Sequence, residues 1–530
     1  MSDDLRGTGN LIRLALRRDR FLLPGSVLGF AAIAASSASA TAGLYPEPAS
    51  RIAAAGAVNA SAAIVAMYGR IYDPTSLGAL AMFKPAVFGA VALAILMVIV
   101  VIRHTRAEEE SGRLELVGAG VVGRAAPLAA ALIVAVSASA AIGSATAAGL
   151  LVSGLPSAGS LAFGAGWAVT GMCFAGLAAA TAQVATGARA ASGLALAGVG
   201  AAYVLRAVGD LSEAGPGWLS WLSPIGWNQQ VRAFAGDHWG VLALPLAATA
   251  GTITAAFLLR RRRDLGSGLL SERSGPATGR LGTPLALAWR LQGPTLWAWT
   301  IVVGLLGTVL GTIAHTVVDL LNSPGMQAII QTLGGEQGLT EAFLAAEMGL
   351  LGTIVAAYGI VAVSRLRSEE SAGHAEALLS TSVGRGRMLA AHGGLALAGV
   401  AWLLIVAGVG AGAGHGFAVG DLGQIGTVAL GAIARIPAAW VLVALAVFVW
   451  GVWPRAGVGV WLAYIAFIVA GEFGSLWGVP QAVMDLSPFV HSPLLPGPDQ
   501  NLDGVLWLTA VAVALLAAGA VAFRRRDLAA

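Results

Sequence analysis

Apolar blocks of about 20 residues, the length that an α-helix needs to cross a bilayer, follow one another along almost the whole chain. Short polar segments separate them. Hydrophobic residues make up 57% of the 530 residues and charged residues only 11%, which is too little charge to cover the surface of a soluble protein of this length. The sequence therefore predicts an all-α polytopic membrane protein.

We place six spans in each half of the chain, twelve transmembrane helices in all. They cover 22–44, 79–102, 127–152, 161–185, 190–208 and 239–259 in the first half, and 295–314, 342–363, 389–412, 426–450, 456–474 and 504–523 in the second. The predicted domains are a first six-span half, 1–263, a cytoplasmic linker, 264–284, and a second six-span half, 285–530. Since six is even, the halves are predicted to be parallel repeats with the same orientation. The apolar stretch 52–68 is placed outside the membrane, because its counterpart near 317–341 is too polar to face lipid.

Arginine placement predicts the orientation of the spans. Arginines cluster before the first span, after the second and after the sixth, and again at the corresponding places of the second half. The opposing loops 315–341, 413–424 and 475–503 contain no Lys or Arg. Positive residues stay in the cytoplasm, so both termini are predicted to be cytoplasmic, although Arg51, Arg70 and Arg232 would then lie outside. The amphipathic stretches Leu11–Arg20 and Leu285–Arg290, one before each first span, are predicted to be interfacial helices.

A charged segment occurs twice, 261 residues apart, directly after the second span of each half. Aligning 106–130 with 367–391 without a gap gives 11 identities in 25 positions, which indicates an internal duplication. We name residues 106–118 the first acidic segment and 367–379 the second acidic segment. Other matches are Tyr203 with Tyr464, Ser223-Pro224 with Ser487-Pro488, Val122-Gly-Arg124 with Val383-Gly-Arg385, and Arg261-Arg-Arg-Asp-Leu265 with Arg524-Arg-Arg-Asp-Leu528.

Carboxylates at the inner membrane face are unsuited to binding an anionic leaflet. They suit charge-assisted contacts with a basic cleft on a soluble partner. The alternative is a solvated loop whose charges only keep it out of the bilayer, and the two matched copies favour docking. The candidate docking residues are Arg106, Glu108, Glu109, Glu110, Gly112, Glu115, Arg367, Glu369, Glu370, Gly373 and Glu376, where Gly112 and Gly373 are expected to bend the chain back toward the next span.

The Glu-rich segment followed by Gly, Glu and Val-Gly-Arg after the second span resembles the second class of bacterial ABC exporter permeases. The fused twelve-span form is similar to the polyketide-antibiotic and multidrug exporter permeases of actinomycetes. The resemblance implies interfacial helices before the first spans and cytoplasmic coupling helices, here the acidic segments, that contact a separate ATPase. It further implies export of hydrophobic or amphiphilic compounds (antibiotics, drugs or lipids) across the bacterial cell membrane, powered by that ATPase. The parallel pair of acidic segments implies two copies of the ATPase.

The chain itself lacks a phosphate-binding loop, which requires a lysine in G-x-x-x-x-G-K-[ST]. The only lysine is Lys84, in Phe83-Lys84-Pro85. We therefore expect no enzymatic activity and no cofactor on this chain, with ATP and Mg²⁺ on the partner ATPase. The single cysteine, Cys173, excludes an intrachain disulfide and a cysteine metal cluster; no metal site and no nucleic-acid partner are predicted.

Charged residues within spans are candidates for gating or for the substrate path, because burying them is costly. Lys84 and Glu347 lie near the outer ends of pseudo-equivalent spans, and they either pair across the interface between the halves or reach the headgroups separately. Arg435 lies near the middle of the tenth span and is expected to bind a backbone carbonyl opened by Pro437, or Glu472. The alternative function is an ion-coupled secondary drug transporter, which would need carboxylates deep inside its spans.

Overall fold

The structure is a computed structural model. It describes residues 3–60, 62–118, 120, 122–210, 217–264, 268–269, 282–321, 335–371, 373–473, 480–497 and 502–526. Within these ranges the chain forms helices and connecting turns, and no β-strand. It divides into two compact units, Met1–Ser274 and Gly275–Ala530. Most of the predicted linker, 264–284, lies outside the described residues.

The first unit contains twelve α-helices among its described residues. They are α1 (Thr8–Arg18), α2 (Leu22–Leu44), α3 (Pro48–Ala60), α4 (Ala62–Tyr68), α5 (Leu77–His104), α6 (Arg106–Glu110), α7 (Arg113–Gly118), α8 (Ala126–Val152), α9 (Ser157–Val184), α10 (Ala188–Asp210), α11 (Pro224–Gln230) and α12 (Ala243–Arg261). Helices α5, α8 and α9 supply much of the buried apolar core. The stretch 52–68, which we placed outside the membrane, forms parts of the short helices α3 and α4.

The second unit contains nine α-helices in the ranges that the structure describes. They are α13 (Pro284–Leu321), α14 (Gly335–Ser371), α15 (His374–Leu379), α16 (Arg385–Val419), α17 (Gln424–Ile433), α18 (Ile436–Val452), α19 (Gly457–Phe473), α20 (Gln481–Met484) and α21 (Asp503–Arg525). Its core is centred on α14, α16 and α18.

Eleven helical stretches are long and apolar enough to cross a membrane among the residues searched, and they confirm an all-α polytopic membrane protein. They coincide with eleven of the twelve predicted spans. The remaining span, predicted at 456–474, corresponds to α19, an apolar helix of 17 residues. Residues 474–479, directly after it, lie outside the described part of the chain, so the total of twelve remains a prediction.

The two predicted interfacial stretches differ from each other in the structure. In the first unit α1 is a separate helix, and the chain turns at Asp19 before α2 begins. The Asp19 carboxylate is fully buried and accepts contacts at 2.9 Å from Arg103 and 2.5 Å from His104, both at the end of α5. In the second unit Leu285–Arg290 is not a separate helix but forms the first turns of α13, which continues through it without a comparable turn.

The proline inside the second span does not interrupt the helix. Pro85 has no N–H to donate to the carbonyl of Ala81, four residues earlier. Ser37 of α2 donates its hydroxyl to that Ala81 carbonyl at 2.8 Å. The neighbouring span therefore satisfies the backbone group that the proline leaves open, as is required in a lipid environment.

Glycines allow several spans to approach each other at backbone distance. A Cβ atom on Gly143 of α8 would lie 2.3 Å from the carbonyl oxygen of Gly164 of α9, and the reverse contact would also be 2.3 Å. In the second unit, Gly311 of α13 lies against the carbonyl of Ala411 of α16, where a Cβ would approach to 1.9 Å. Such small-residue contacts are a usual way for membrane helices to pack.

Candidate functional site

The first acidic segment folds as two short helices joined by a sharp turn. Helix α5 ends where Thr105 leaves helical geometry, at φ −122° and ψ −88°. Helix α6 follows, and Gly112 then takes φ +71° before α7 begins. Gly373 takes φ +76° at the equivalent place of the second acidic segment. Because L side chains are strained at these angles, glycine is suited to both turns, as the sequence analysis expected.

Glu109 of the first acidic segment is buried inside the first unit. Its two carboxylate oxygens accept hydrogen bonds from Arg263, at 2.6 Å from Nη1 and 2.8 Å from Nη2. Arg106 adds an ion pair at 2.9 Å, and its guanidinium also donates to the Thr186 carbonyl. A bidentate Arg–carboxylate contact is among the strongest hydrogen-bonded arrangements in proteins. Glu109 thus binds residues of its own chain.

The second acidic segment contains the same arrangement. Both carboxylate oxygens of Glu370 accept hydrogen bonds at 2.7 Å from Nη2 of Arg526, and Arg367 pairs with Glu370 at 3.3 Å. Arg526 occupies the position of Arg263 in the repeated Arg-Arg-Arg-Asp-Leu sequence, and Glu370 that of Glu109. We name Glu109–Arg263 and Glu370–Arg526 the two latch pairs.

The arginine of each Val-Gly-Arg sequence completes the arrangement. Arg124 donates to the backbone carbonyl of Arg263 at 2.7 Å, and Arg385 donates to the backbone carbonyl of Arg526. In each half, three elements therefore meet at one place: the acidic segment, the turn after it and the end of the last span. The same contacts thus occur in both units, and the predicted repeat architecture remains a prediction.

The remaining carboxylates of the two acidic segments differ in their solvent exposure. Glu115 and Glu376 are exposed. Glu110 is exposed as well, although it accepts a hydrogen bond at 2.8 Å from the backbone N–H of Ala188 at the start of α10. Glu108 pairs with Arg18 of α1, and Glu369 pairs with Arg365 at 3.0 Å. The most exposed carboxylates of the two acidic segments are therefore Glu110, Glu115 and Glu376, and the docking role of the segments stays a prediction.

The three candidates within spans occupy unlike environments. Lys84 is exposed, with Nζ 5.6 Å from the ring centroids of both Tyr68 and Phe83. Glu347 is buried, and neither of its carboxylate oxygens has a hydrogen-bond partner among the described residues. Their pairing, like the roles assigned to them, remains a prediction.

Arg435 lies at the break between α17 and α18, just before Pro437. Its Nη2 donates to the carbonyl of Ala345 at 3.2 Å, and its side chain is only 4% exposed. The expected carbonyl partner is therefore present, but it belongs to α14 rather than to a helix opened by the proline. Glu472, the other expected partner, lies where the structure describes no side chain.

Two features of the structure were missed by the sequence analysis. Arg263 and Arg526 served only as evidence of duplication. Their repeated position directly after a last span was visible in the sequence, whereas their pairing with Glu109 and Glu370 was not. The second feature is Arg206 in α10, which is fully buried, pairs with Asp210 at 3.5 Å and donates to the Ala66 carbonyl at 2.7 Å. Its signal was the Arg-x-x-x-Asp spacing, which places the two side chains on one helix face.

Comparisons with known proteins agree with a transporter. Residues 281–524 match the family described as the multidrug efflux system permease Rv1217c, C-terminal domain. The chain is also 42% identical over 526 residues, 98% of its own length and 95% of the relative's length, to the multidrug efflux system permease protein Rv1217c of Mycobacterium tuberculosis.

Proposed function

The chain belongs to the family of the multidrug efflux permease Rv1217c, and from this premise we propose that it is the membrane-spanning permease of an ATP-driven exporter. Its cargo would be hydrophobic or amphiphilic compounds, and the ATP would be hydrolysed by a separate ATPase. We place both termini in the cytoplasm of a bacterial cell, because the arginine-rich ends of the spans are retained there.

The observation that carries this proposal is the repeated acidic segment. Each copy is fixed to its own unit by a latch pair, and each leaves a carboxylate, Glu115 or Glu376, open to solvent. A segment that only kept itself out of the bilayer would need neither the same buried anchor nor its repetition. A rigidly held, exposed acidic surface suits a soluble partner with a basic cleft.

The requirement for a separate motor follows from the sequence. The only lysine, Lys84, lies in an apolar helix without a glycine-rich loop, whereas a phosphate-binding loop needs a lysine beside its glycines. Two acidic segments favour two ATPase copies, one for each half.

The proposal is tested by purifying the chain together with the products of neighbouring genes and reconstituting the complex in vesicles. We expect an ATPase to co-elute, and a lipophilic dye to move against its gradient only when ATP is present, with inhibition by vanadate. Export by the chain alone would contradict the proposal.

Glu347 is the one observation that favours the alternative, an ion-coupled secondary transporter. A buried carboxylate without a hydrogen-bond partner is the kind of group that such carriers use to bind a proton or Na⁺. Under this alternative, transport follows the proton gradient, ignores vanadate and is abolished by Glu347→Gln. Under the exporter proposal, Glu347→Gln retains ATP-driven transport.

A further inference from the structure

Each half of the chain ends in a helix that packs against its neighbours along one narrow stripe. The buried residues of α12 are Pro245, Thr249, Ala256 and Arg260, and those of α21 are Leu508, Ala512, Gly519 and Phe523. The two sets share one spacing and differ by a constant offset of 263 residues. The same offset relates the two latch arginines, Arg263 and Arg526. Both last helices are therefore packed in the same register.

The latch pair is a tertiary link between segments that are far apart in the chain. Glu109 and Arg263 are separated by 154 residues, and Glu370 and Arg526 by 156. Each arginine lies directly at or beyond the end of its helix. A helix that packs along one narrow face can shift as a rigid body more easily than a helix buried on all sides. A strong contact at its end couples its movement to the segment that makes this contact.

We infer that Arg263 and Arg526 are positioning residues that join each acidic segment to the last membrane-spanning helix of the same half, so that displacement of the segment by a bound ATPase moves that helix. This inference rests on the proposed function, which supplies the ATPase. It adds a second route by which movement of the ATPase is transmitted to the membrane-spanning helices. This route runs through α12 and α21, in addition to the spans that adjoin each acidic segment in the chain.

The two latch pairs are unequal. Arg263 uses both terminal nitrogens on Glu109, and its Nε donates to Gln183 at 2.8 Å. Arg526 uses Nη2 alone, while its Nε and Nη1 are buried without a hydrogen-bond partner among the described residues. Since each additional charge-assisted hydrogen bond strengthens a buried contact, the first half is held more firmly than the second.

The test measures the amount of dye transported per ATP hydrolysed, in vesicles that contain the permease and its ATPase. We expect Arg263→Gln to retain ATPase co-elution and hydrolysis while this ratio falls about tenfold, within the range usual for coupling between sites. Arg526→Gln lowers the ratio less. Arg263→Lys gives a ratio between those of the wild type and Arg263→Gln, because lysine keeps the positive charge but cannot form the bidentate contact. The double variant Glu109→Gln with Arg263→Gln is no worse than Arg263→Gln alone, since the two residues act as one pair.

Matched controls are the exposed neighbours of the latch arginines, Arg262→Gln and Arg525→Gln, which keep the wild-type ratio. A wild-type ratio in both Arg263→Gln and Arg526→Gln would overturn the inference. If Arg263→Gln does not fold, Arg526→Gln carries the test, because its arginine makes fewer contacts.

A second measurement separates this inference from the proposed function. Amide hydrogen exchange of the permease alone should quicken in both the first acidic segment and the end of α12 when Arg263 is replaced by Gln, and in neither for Arg262→Gln. Unchanged exchange in either place refutes the joint movement, whether or not an ATPase binds. Failure of the wild-type chain to bind an ATPase refutes the proposed function instead.

Discussion

Three buried arginines donate to backbone carbonyl oxygens of other helices or loops. Arg106 donates to the Thr186 carbonyl, Arg206 to that of Ala66 and Arg435 to that of Ala345. Guanidinium groups suit this role because their donors are fixed in one plane. The carbonyl of Thr186 lies just beyond the end of α9 and that of Ala66 in the last turn of α4, where the helix leaves them free to accept. Ala345 lies inside α14, where the carbonyl has a second lone pair.

Glu347 contrasts with these arginines, because its buried oxygens lack hydrogen-bond partners among the described residues. We expect Glu347→Met, which keeps the side-chain length and removes the polar atoms, to stabilise the purified protein by about 1–3 kcal/mol, the usual cost of an unsatisfied buried polar group. The change is measured as a rise in the melting temperature in detergent. Glu341→Met, at a half-buried position of the same helix, serves as control. A lower melting temperature for Glu347→Met would show that the carboxylate has a partner in the folded protein.

At the level of single residues, the sequence predicted which side chains would be exceptional but not their partners. The Glu-rich pattern singled out Glu109 and Glu370 as contacts for another protein, whereas both are buried against arginines more than 150 residues away in the chain. The consecutive glutamates of each segment, three in the first and two in the second, look alike in sequence. Only the direction of each side chain from the folded helix distinguishes the buried one from the others.

At the level of helices, the contact between α8 and α9 depends on glycine. We expect Gly143→Ala to destabilise the protein by about 1–3 kcal/mol, the usual cost of overpacking, because the new methyl group would meet the rigid backbone carbonyl of Gly164. Thermal unfolding in detergent measures this change.

The matched control for this contact is Gly200→Ala in α10, where an added Cβ has no neighbour within 4 Å. It should leave stability unchanged or raise it by up to about 1 kcal/mol, since alanine favours the helix over glycine. Equal melting temperatures for the two variants would mean that α8 and α9 separate without cost.

Helix positions were predictable because a span is a long apolar block with charged or turn-forming ends. The break between α17 and α18 was harder to predict, because Arg435 and Pro437 lie within one apolar block of the sequence. In the structure, one helix ends at Ile433 and the next begins at Ile436. The predicted span at 456–474 stays a prediction, because the described part of α19 ends at Phe473, directly before residues that the structure does not describe.

At the level of the whole molecule, the paired acidic segments predict how many ATPase copies bind. We expect native mass spectrometry to show two copies on the wild-type chain and one on either Glu115→Arg or Glu376→Arg, with none on the double variant, because like charges would face a basic cleft. Glu47→Arg, an exposed site at the opposite end of the first unit, should retain both copies. Two copies on the double variant would exclude these carboxylates from docking.

By itself the sequence determined the membrane class, eleven of the span positions, the repetition of the acidic segment and the absence of a phosphate-binding loop, because these depend on composition and local spacing. Tertiary structure alone decided which glutamates face inward, which carbonyl receives Arg435 and that each last helix is fixed to an acidic segment. Those properties depend on contacts between residues far apart in the chain, which only the packing of the helices brings within hydrogen-bond distance.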